Sequence, residues 1–166
     1  MNRFFSLKTV CAALGVVLTL LTACEQQNFE PNMNAAPGGG TVSTYKAYTL
    51  TAASPSTVYG RVVFYKYSSS VTLVQMGLYN TTSGTSYSAS IYQGALAANS
   101  TTSLKGLDAV SGETGAFATN KYFTINEAGF FDKLNTYNAS VKVMAGATLV
   151  ASGNIGANAT PIAQAQ

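Results

Sequence analysis

The stretch Ser86-Tyr87-Ser88-Ala89-Ser90-Ile91-Tyr92 decides the fold class. Tyr87, Ala89 and Ile91 fall on one side of an extended chain, and Ser86, Ser88, Ser90 and Tyr92 on the other. This period of two is the pattern of a β-strand with one face buried. The same period precedes it, where Val71, Leu73 and Gln75 alternate with Thr72, Val74 and Met76. Outward from these two runs, β-branched and aromatic residues predict further strands over 45–51, 57–67, 104–110, 117–125, 137–145 and 148–153. Ser54-Pro55-Ser56, Ser68-Ser69-Ser70 and Ser111-Gly112-Glu113-Thr114-Gly115 read as turns, residues 80–84 as a hairpin loop, and Gly60 as a bulge. The only helical signal is Asn126 as N-cap, Glu127 in the first turn, and Phe130, Phe131 and Leu134 as an apolar stripe. Gly129 weakens it, so two or three turns are expected. Strands that bury one face each need a second sheet to cover it. The expected fold is therefore all-β: an Ig-like, Greek-key antiparallel β-sandwich over 44–158 with one short helix.

The N-terminus has a different character. Arg3 and Lys8 precede an apolar run over residues 10–21, which is too short to span a bilayer core of about 30 Å. Leu21-Thr22-Ala23-Cys24 then resembles the lipobox of bacterial lipoproteins. That resemblance implies a signal peptide over 1–23, diacylglycerol on the Cys24 thiol, and further acylation, such as palmitate, on the new amine. Several chains together give stable membrane anchoring, at about 0.8 kcal/mol per buried CH₂. Residues 24–43, with Pro37-Gly38-Gly39-Gly40, read as a flexible tether, and 159–166 as a disordered Ala/Gln-rich tail. Glu25 and Glu30 behind the anchor resemble the acidic surface-export signals of some Bacteroidetes lipoproteins; a solvated tether needs acids there equally. The expected location is the cell envelope, at the outer membrane of a Gram-negative bacterium, on its periplasmic or surface face.

Composition narrows the function. The chain has nine basic and six acidic residues, no His and two Cys. Arg3 and Lys8 leave with the signal, so the mature chain is close to neutral, and no basic patch points to nucleic acid. Cys11 lies inside the signal and Cys24 carries lipid, which leaves no thiol for a disulfide or a nucleophile.

The second half of the chain holds three blocks in order. They are Ala89-Ser90-Ile91-Tyr92-Gln93-Gly94, then Leu107-Asp108-Ala109-Val110-Ser111-Gly112-Glu113-Thr114-Gly115, then Leu149-Val150-Ala151-Ser152-Gly153-Asn154-Ile155-Gly156-Ala157-Asn158. Together they resemble the CHRD (chordin-like) domain of bacterial lipoproteins, over about 59–158. The resemblance implies the sandwich of copper/zinc superoxide dismutase. Many members read Ala-His-Ile-His-Gly at the first block and place another His near the position of Met144. Here the pair falls on Ser90 and Tyr92, and no His exists anywhere. Copper and zinc in such a site depend on imidazole. The resemblance therefore brings neither metal nor dismutase activity, and no cofactor is expected.

Other chemistry finds little support in the residues. Without His, Ser–His and Cys–His nucleophiles are absent. Asp108 and Glu113 flank one turn, and a glycosidase needs two carboxylates across a bond; satisfying backbone donors in a Gly-rich turn is the simpler use. Asp108, Ser111 and Glu113 offer three oxygens toward a weak calcium site, where six to eight are needed. Tyr65, Tyr67, Tyr79, Tyr87, Tyr92, Tyr122 and Tyr137 include candidates for an exposed aromatic platform, with Tyr92 beside Ser90 the foremost ligand contact. The expectation is a non-enzymatic envelope lipoprotein that binds, adheres or scaffolds. Its partners would be the membrane, through its lipid, and an envelope protein or glycan. The alternative is a carbohydrate- or small-ligand-binding accessory module.

Overall fold

The computed structural model describes residues 43–162. The expected signal peptide, Cys24, most of the expected tether and the last four residues lie outside them. Nine strands follow in order: β1 (Tyr45–Ala52), β2 (Tyr59–Lys66), β3 (Val71–Tyr79), β4 (Ser86–Gln93), β5 (Ser103–Gly106), β6 (Val110–Ser111), β7 (Phe123–Asn126), β8 (Asn138–Ala145) and β9 (Thr148–Gly156). One helical turn, α1 (Phe130–Lys133), separates β7 from β8. The strands pair in the order β5-β4-β8-β9-β1-β2-β3-β7, with β6 beside β4 at the level that β5 does not reach. Every pairing is antiparallel. The expected all-β antiparallel sandwich with one short helix is what the chain forms.

The sheet curls on itself, and its two halves share one core. Val62, Phe64, Val74 and Met76 come from β2 and β3; Ala89, Ile91, Val141, Val143 and Ile155 come from β4, β8 and β9; all pack in a single cluster. β1 joins the halves. Its residues from Tyr45 to Leu50 pair with β2, then Thr51 and Ala52 pair with Ser152 and Ala151 of β9. At that switch Gly153 lies against the Thr49 carbonyl: a Cβ on Gly153 would stand 2.1 Å from its oxygen. Only a residue without a side chain lets the two backbones come this close.

Helix α1 closes one end of the core with Phe130, Phe131 and Leu134, all buried. Two lysines hold it. Lys46 Nζ donates to the Phe131 carbonyl at 3.0 Å and lies 4.4 Å from the centre of the Phe131 ring. Lys66 pairs with Asp132 at 2.7 Å. Burial pushes the Lys46 ammonium below its ordinary range; nearby Asp132 opposes the shift and Lys66 adds to it.

Several local readings are corrected. The loop over 80–84 joins no hairpin, because β3 pairs with β2 and β7 while β4 pairs with β5, β6 and β8. It is a crossing from one half of the sheet to the other. The strand expected over 104–110 is two strands, interrupted where the Ala109 carbonyl accepts the Ala118 N–H. The strand expected over 117–125 is also divided. Phe117 bridges Val110 in one half, whereas Phe123–Asn126 pairs with β3 in the other, so the chain between them has to cross. Asn126 is not a helix cap: it ends β7 opposite Val71. The helix starts after Gly129, whose φ of 71° turns the chain and leaves room for one turn instead of two or three. Beyond Asn158, where fraying was expected, the Ile162 N–H donates to the Ala47 carbonyl at 2.8 Å. Among the described residues, no helix is long and apolar enough to cross a membrane.

The close approach at Gly153 makes a direct prediction. Gly153→Ala should lower unfolding stability by roughly 1–3 kcal/mol, the usual cost of forcing volume into a packed site. Urea denaturation followed by circular dichroism measures it, and an unshifted midpoint would mean that the β1–β9 seam is not tight.

Candidate functional site

Strand β4 places Ser90 and Tyr92 on the outer face of its half of the sheet, as the alternation requires, while Ala89 and Ile91 enter the core. In register beside them on β8 are Lys142, opposite Ser90, and Ser140, opposite Tyr92. Lys142 Nζ stands 4.8 Å from the centre of the Tyr92 ring and donates to the Ser100 carbonyl at 2.7 Å. Ser100 belongs to the loop between β4 and β5. The Leu96 N–H at the start of that loop donates to Asn154 Oδ1 at 2.7 Å, and the Gly94 N–H to the Asn138 carbonyl at 2.9 Å. The chain thus ties its own loop to the outer edges of β8 and β9. The Tyr92 ring serves as a cation–π partner inside the protein. The Lys142 ammonium beside Tyr92 also repels any divalent cation at the place where the CHRD resemblance puts its histidines. Met144, the third of those positions, is half-buried on β8 opposite Ser88.

The acidic turn is likewise engaged. Glu113 Oε1 accepts from Ser83 Oγ at 2.5 Å and from the Gly84 N–H at 3.1 Å. Ser111 Oγ accepts the Glu113 N–H at 3.2 Å. Asp108 sits in the break between β5 and β6, half-buried. Glu113 therefore latches the β3–β4 crossing. Among the described residues, no three His, Cys, Asp or Glu side chains gather into a cation-binding group.

The tyrosines divide by register. Tyr48, Tyr65, Tyr87 and Tyr122 are buried. Tyr65 lies on the outer face of β2, packed edge-on against Tyr122 at 5.8 Å, and its hydroxyl donates to Gln75 Oε1 at 3.1 Å. Burial pushes the Tyr65 phenol up to about 12, with Tyr122 adding to the shift and Arg61 opposing it. Tyr48 reaches through the core to a shallow cavity of about 460 Å³, lined also by Asn135 and residues 156–161. Its hydroxyl is buried with no hydrogen-bond partner among the described residues. Burial raises its pKa; the nearby Gly156 backbone tempers the shift without reaching hydrogen-bond geometry.

Among the described residues, the exposed aromatics are Tyr59 at 46%, Tyr67 at 49% and Tyr79 at 53%. Tyr59 and Tyr79 are directly opposite one another on β2 and β3. Their rings stack with centroids 5.2 Å apart and planes at 27°. The sequence reading included Tyr79 and missed Tyr59. The signal that finds both is the Ser68-Ser69-Ser70 turn: Tyr59 and Tyr79 are equidistant from Ser69, so a regular hairpin brings them together.

Two measurements check these environments. Replacing Lys142 with Met should release the 95–102 loop, raise its amide exchange and cost about 1.5–3 kcal/mol, the range for a hydrogen bond to a charged group. Unchanged exchange would place the loop's restraint elsewhere. In an ultraviolet titration, a phenol that ionises near pH 12 should vanish in Tyr65→Phe. Because the folded-state pKa lies above the unfolded value of about 10, the stability that Tyr65 contributes is intact below pH 10 and lost between about pH 10 and 12.

No family model, no curated protein and no solved structure matches the chain.

Proposed function

We propose that this chain is a lipid-anchored envelope protein without enzymatic activity. In this reading a CHRD-type sandwich is held at the outer membrane by lipid on Cys24 and works by binding an envelope partner. The observation that carries the reading is Leu21-Thr22-Ala23-Cys24 directly behind an apolar run that is too short to span a bilayer. Two features of the domain support it. Its antiparallel sandwich is the architecture that the CHRD resemblance implies. The polar groups first considered for chemistry have structural work: Tyr92 receives Lys142, and Glu113 holds the crossing at Ser83 and Gly84.

A second reading, a carbohydrate-binding accessory module, draws on one observation: the stacked and exposed pair Tyr59–Tyr79. Paired aromatics offer rigid contact area with little side-chain entropy left to lose.

The anchor is tested with labelled palmitate in growing cells. The parent protein should take up label and partition with membranes, and Cys24→Ser should do neither. A labelled Cys24→Ser protein would remove the basis of the proposal. Crosslinking in intact cells, followed by detergent extraction and mass spectrometry, separates the two binding readings. One protein recovered near stoichiometrically supports scaffolding, and recovery of glycan without protein supports the accessory module.

A further inference from the structure

The outer face of the β2–β3 hairpin brings together four features that the core does not require. The first is the Tyr59–Tyr79 plate. Each ring braces the other across the strands, so the pair is held in place before anything binds. Cross-strand aromatic pairs stabilise a hairpin, but that role does not require both rings to remain about half exposed.

The second feature is a notch beside the plate. Gly77 precedes Tyr79 by two residues and so lies on the same face, about 7 Å along the strand. A Cβ built on Gly77 would meet nothing within 4 Å. Packing does not demand a glycine here, and its φ is not left-handed. The effect of this glycine is to leave bare backbone open between Tyr79 and Gln75.

The third feature is Arg61, directly opposite Gly77 on β2 and on the same face as Tyr59. It is half-buried and forms no ion pair among the described residues, although its charge is felt by the Tyr65 phenol further along the same face. Its guanidinium presents a planar fork of donors that matches a carboxylate in bidentate geometry. The fourth is Gln75, at the far end of the notch, whose amide is held by the Tyr65 hydroxyl at 3.1 Å. The order along the face is aromatic plate, open floor with a cation beside it, then an oriented amide.

We infer that this face is a docking surface for an acidic glycan, a chain of hexuronate-containing sugars. A pyranose ring lies on Tyr79 and Tyr59, and the adjoining ring settles over Gly77. The carboxylate of that ring pairs with Arg61, and Gln75 reads a neighbouring hydroxyl. The charge of the ligand follows from Arg61, which a neutral sugar would cover without a partner and so at a desolvation cost. The flat, repeating shape follows from a plate and notch one residue pair apart on a sheet. Nucleic acid fits poorly, because its affinity requires several phosphate-neutralising cations and this face presents one. The inference builds on the accessory-module reading and names its ligand class and its residues.

The test is calorimetric titration of the purified lipoprotein in detergent micelles with oligomers of galacturonate, alginate and hyaluronan, and with methyl-esterified galacturonate. At least one uronate oligomer should bind, and esterification of galacturonate should weaken its binding at least tenfold. Arg61→Gln and Tyr79→Ala should each weaken binding at least tenfold. Gly77→Val should do the same by filling the notch, with a β-branched residue that suits a strand. Tyr67→Ala, which alters an exposed tyrosine outside this patch, should bind as the parent does. Thermal midpoints within a few degrees of the parent would establish that the variants are folded. Absence of binding to every uronate oligomer overturns the inference. Equal binding of the methyl ester does so too, as does parental affinity in a folded Gly77→Val or Arg61→Gln. Equal binding of the methyl ester would overturn the inference and leave the accessory-module reading in place, so the two failures are distinguishable.

Discussion

The structure depends on one strand that belongs to both halves of the sheet. β1 gives Tyr45 through Leu50 to β2 and then Thr51 and Ala52 to β9. Antiparallel pairing fixes the register at each contact, so a single strand committed to two partners fixes how the halves face each other. The switch needs the β1 and β9 backbones in near contact, and Gly153 against Thr49 provides it. The Ala53 N–H then continues the ladder to the Val150 carbonyl at 3.0 Å, and Thr51 Oγ1 adds a bond to the Ser152 carbonyl at 3.2 Å. With the halves joined this way, Phe64 and Val74 meet Ile91 and Val141 across a shared interior.

Joining the sheet through β1 dictates where the chain must cross. β2 and β3 fill one half, so β4 has to start the other, and the loop over 80–84 carries the chain between them. A second crossing follows Phe117, and a third leads from α1 into β8. Polar groups pin the first and third: Glu113 holds Gly84 and the Thr81 hydroxyl donates to the Gly112 carbonyl at 2.9 Å at the first, and Lys46 holds α1 at the third. Glu113, which the sequence leaves open to chemistry, is one of these pins. A chain with so few charges has little to spare after its crossings are secured.

What the sequence revealed follows from what is local. β4 is legible to within one residue, and β3 nearly as well, because alternation reports which face of a strand turns to the core, whichever strand lies beside it. Strand partners are not local. Residues 80–84 have the polarity of a hairpin loop, yet the pairing of β3 with β7 depends on chain more than forty residues further on. The break at 107–109 was hidden for a similar reason, since it answers to the Ala118 N–H rather than to its own sequence. In the candidate site, alternation placed Ser90 and Tyr92 outward, as found. Lys142, which fills that place, is fifty residues beyond Tyr92 and enters only through register. Tyr59 was within reach, because a hairpin about Ser69 pairs it with Tyr79; weighing each tyrosine singly lost the pair.

The two outer faces of the sandwich have been treated differently, and this difference bears on function. On the β4–β8–β9 face the protein brings its own loop down, with Lys142 on Ser100 and Leu96 on Asn154, so polar groups that open water would otherwise solvate are satisfied internally. On the β2–β3 face, Val63, Tyr65 and Leu73 are buried at the turn end of the hairpin, with Tyr65 against Tyr122. The opposite end, at Tyr59, Arg61, Gly77 and Tyr79, has no such cover. A polar face closed by the chain itself resists ligands, since opening it breaks a charged hydrogen bond and a cation–π contact before anything is gained. A face with preset aromatics and a guanidinium outside any ion pair among the described residues has no such contact to break. The family resemblance directs attention to the first face, but the energetics of access favour the second.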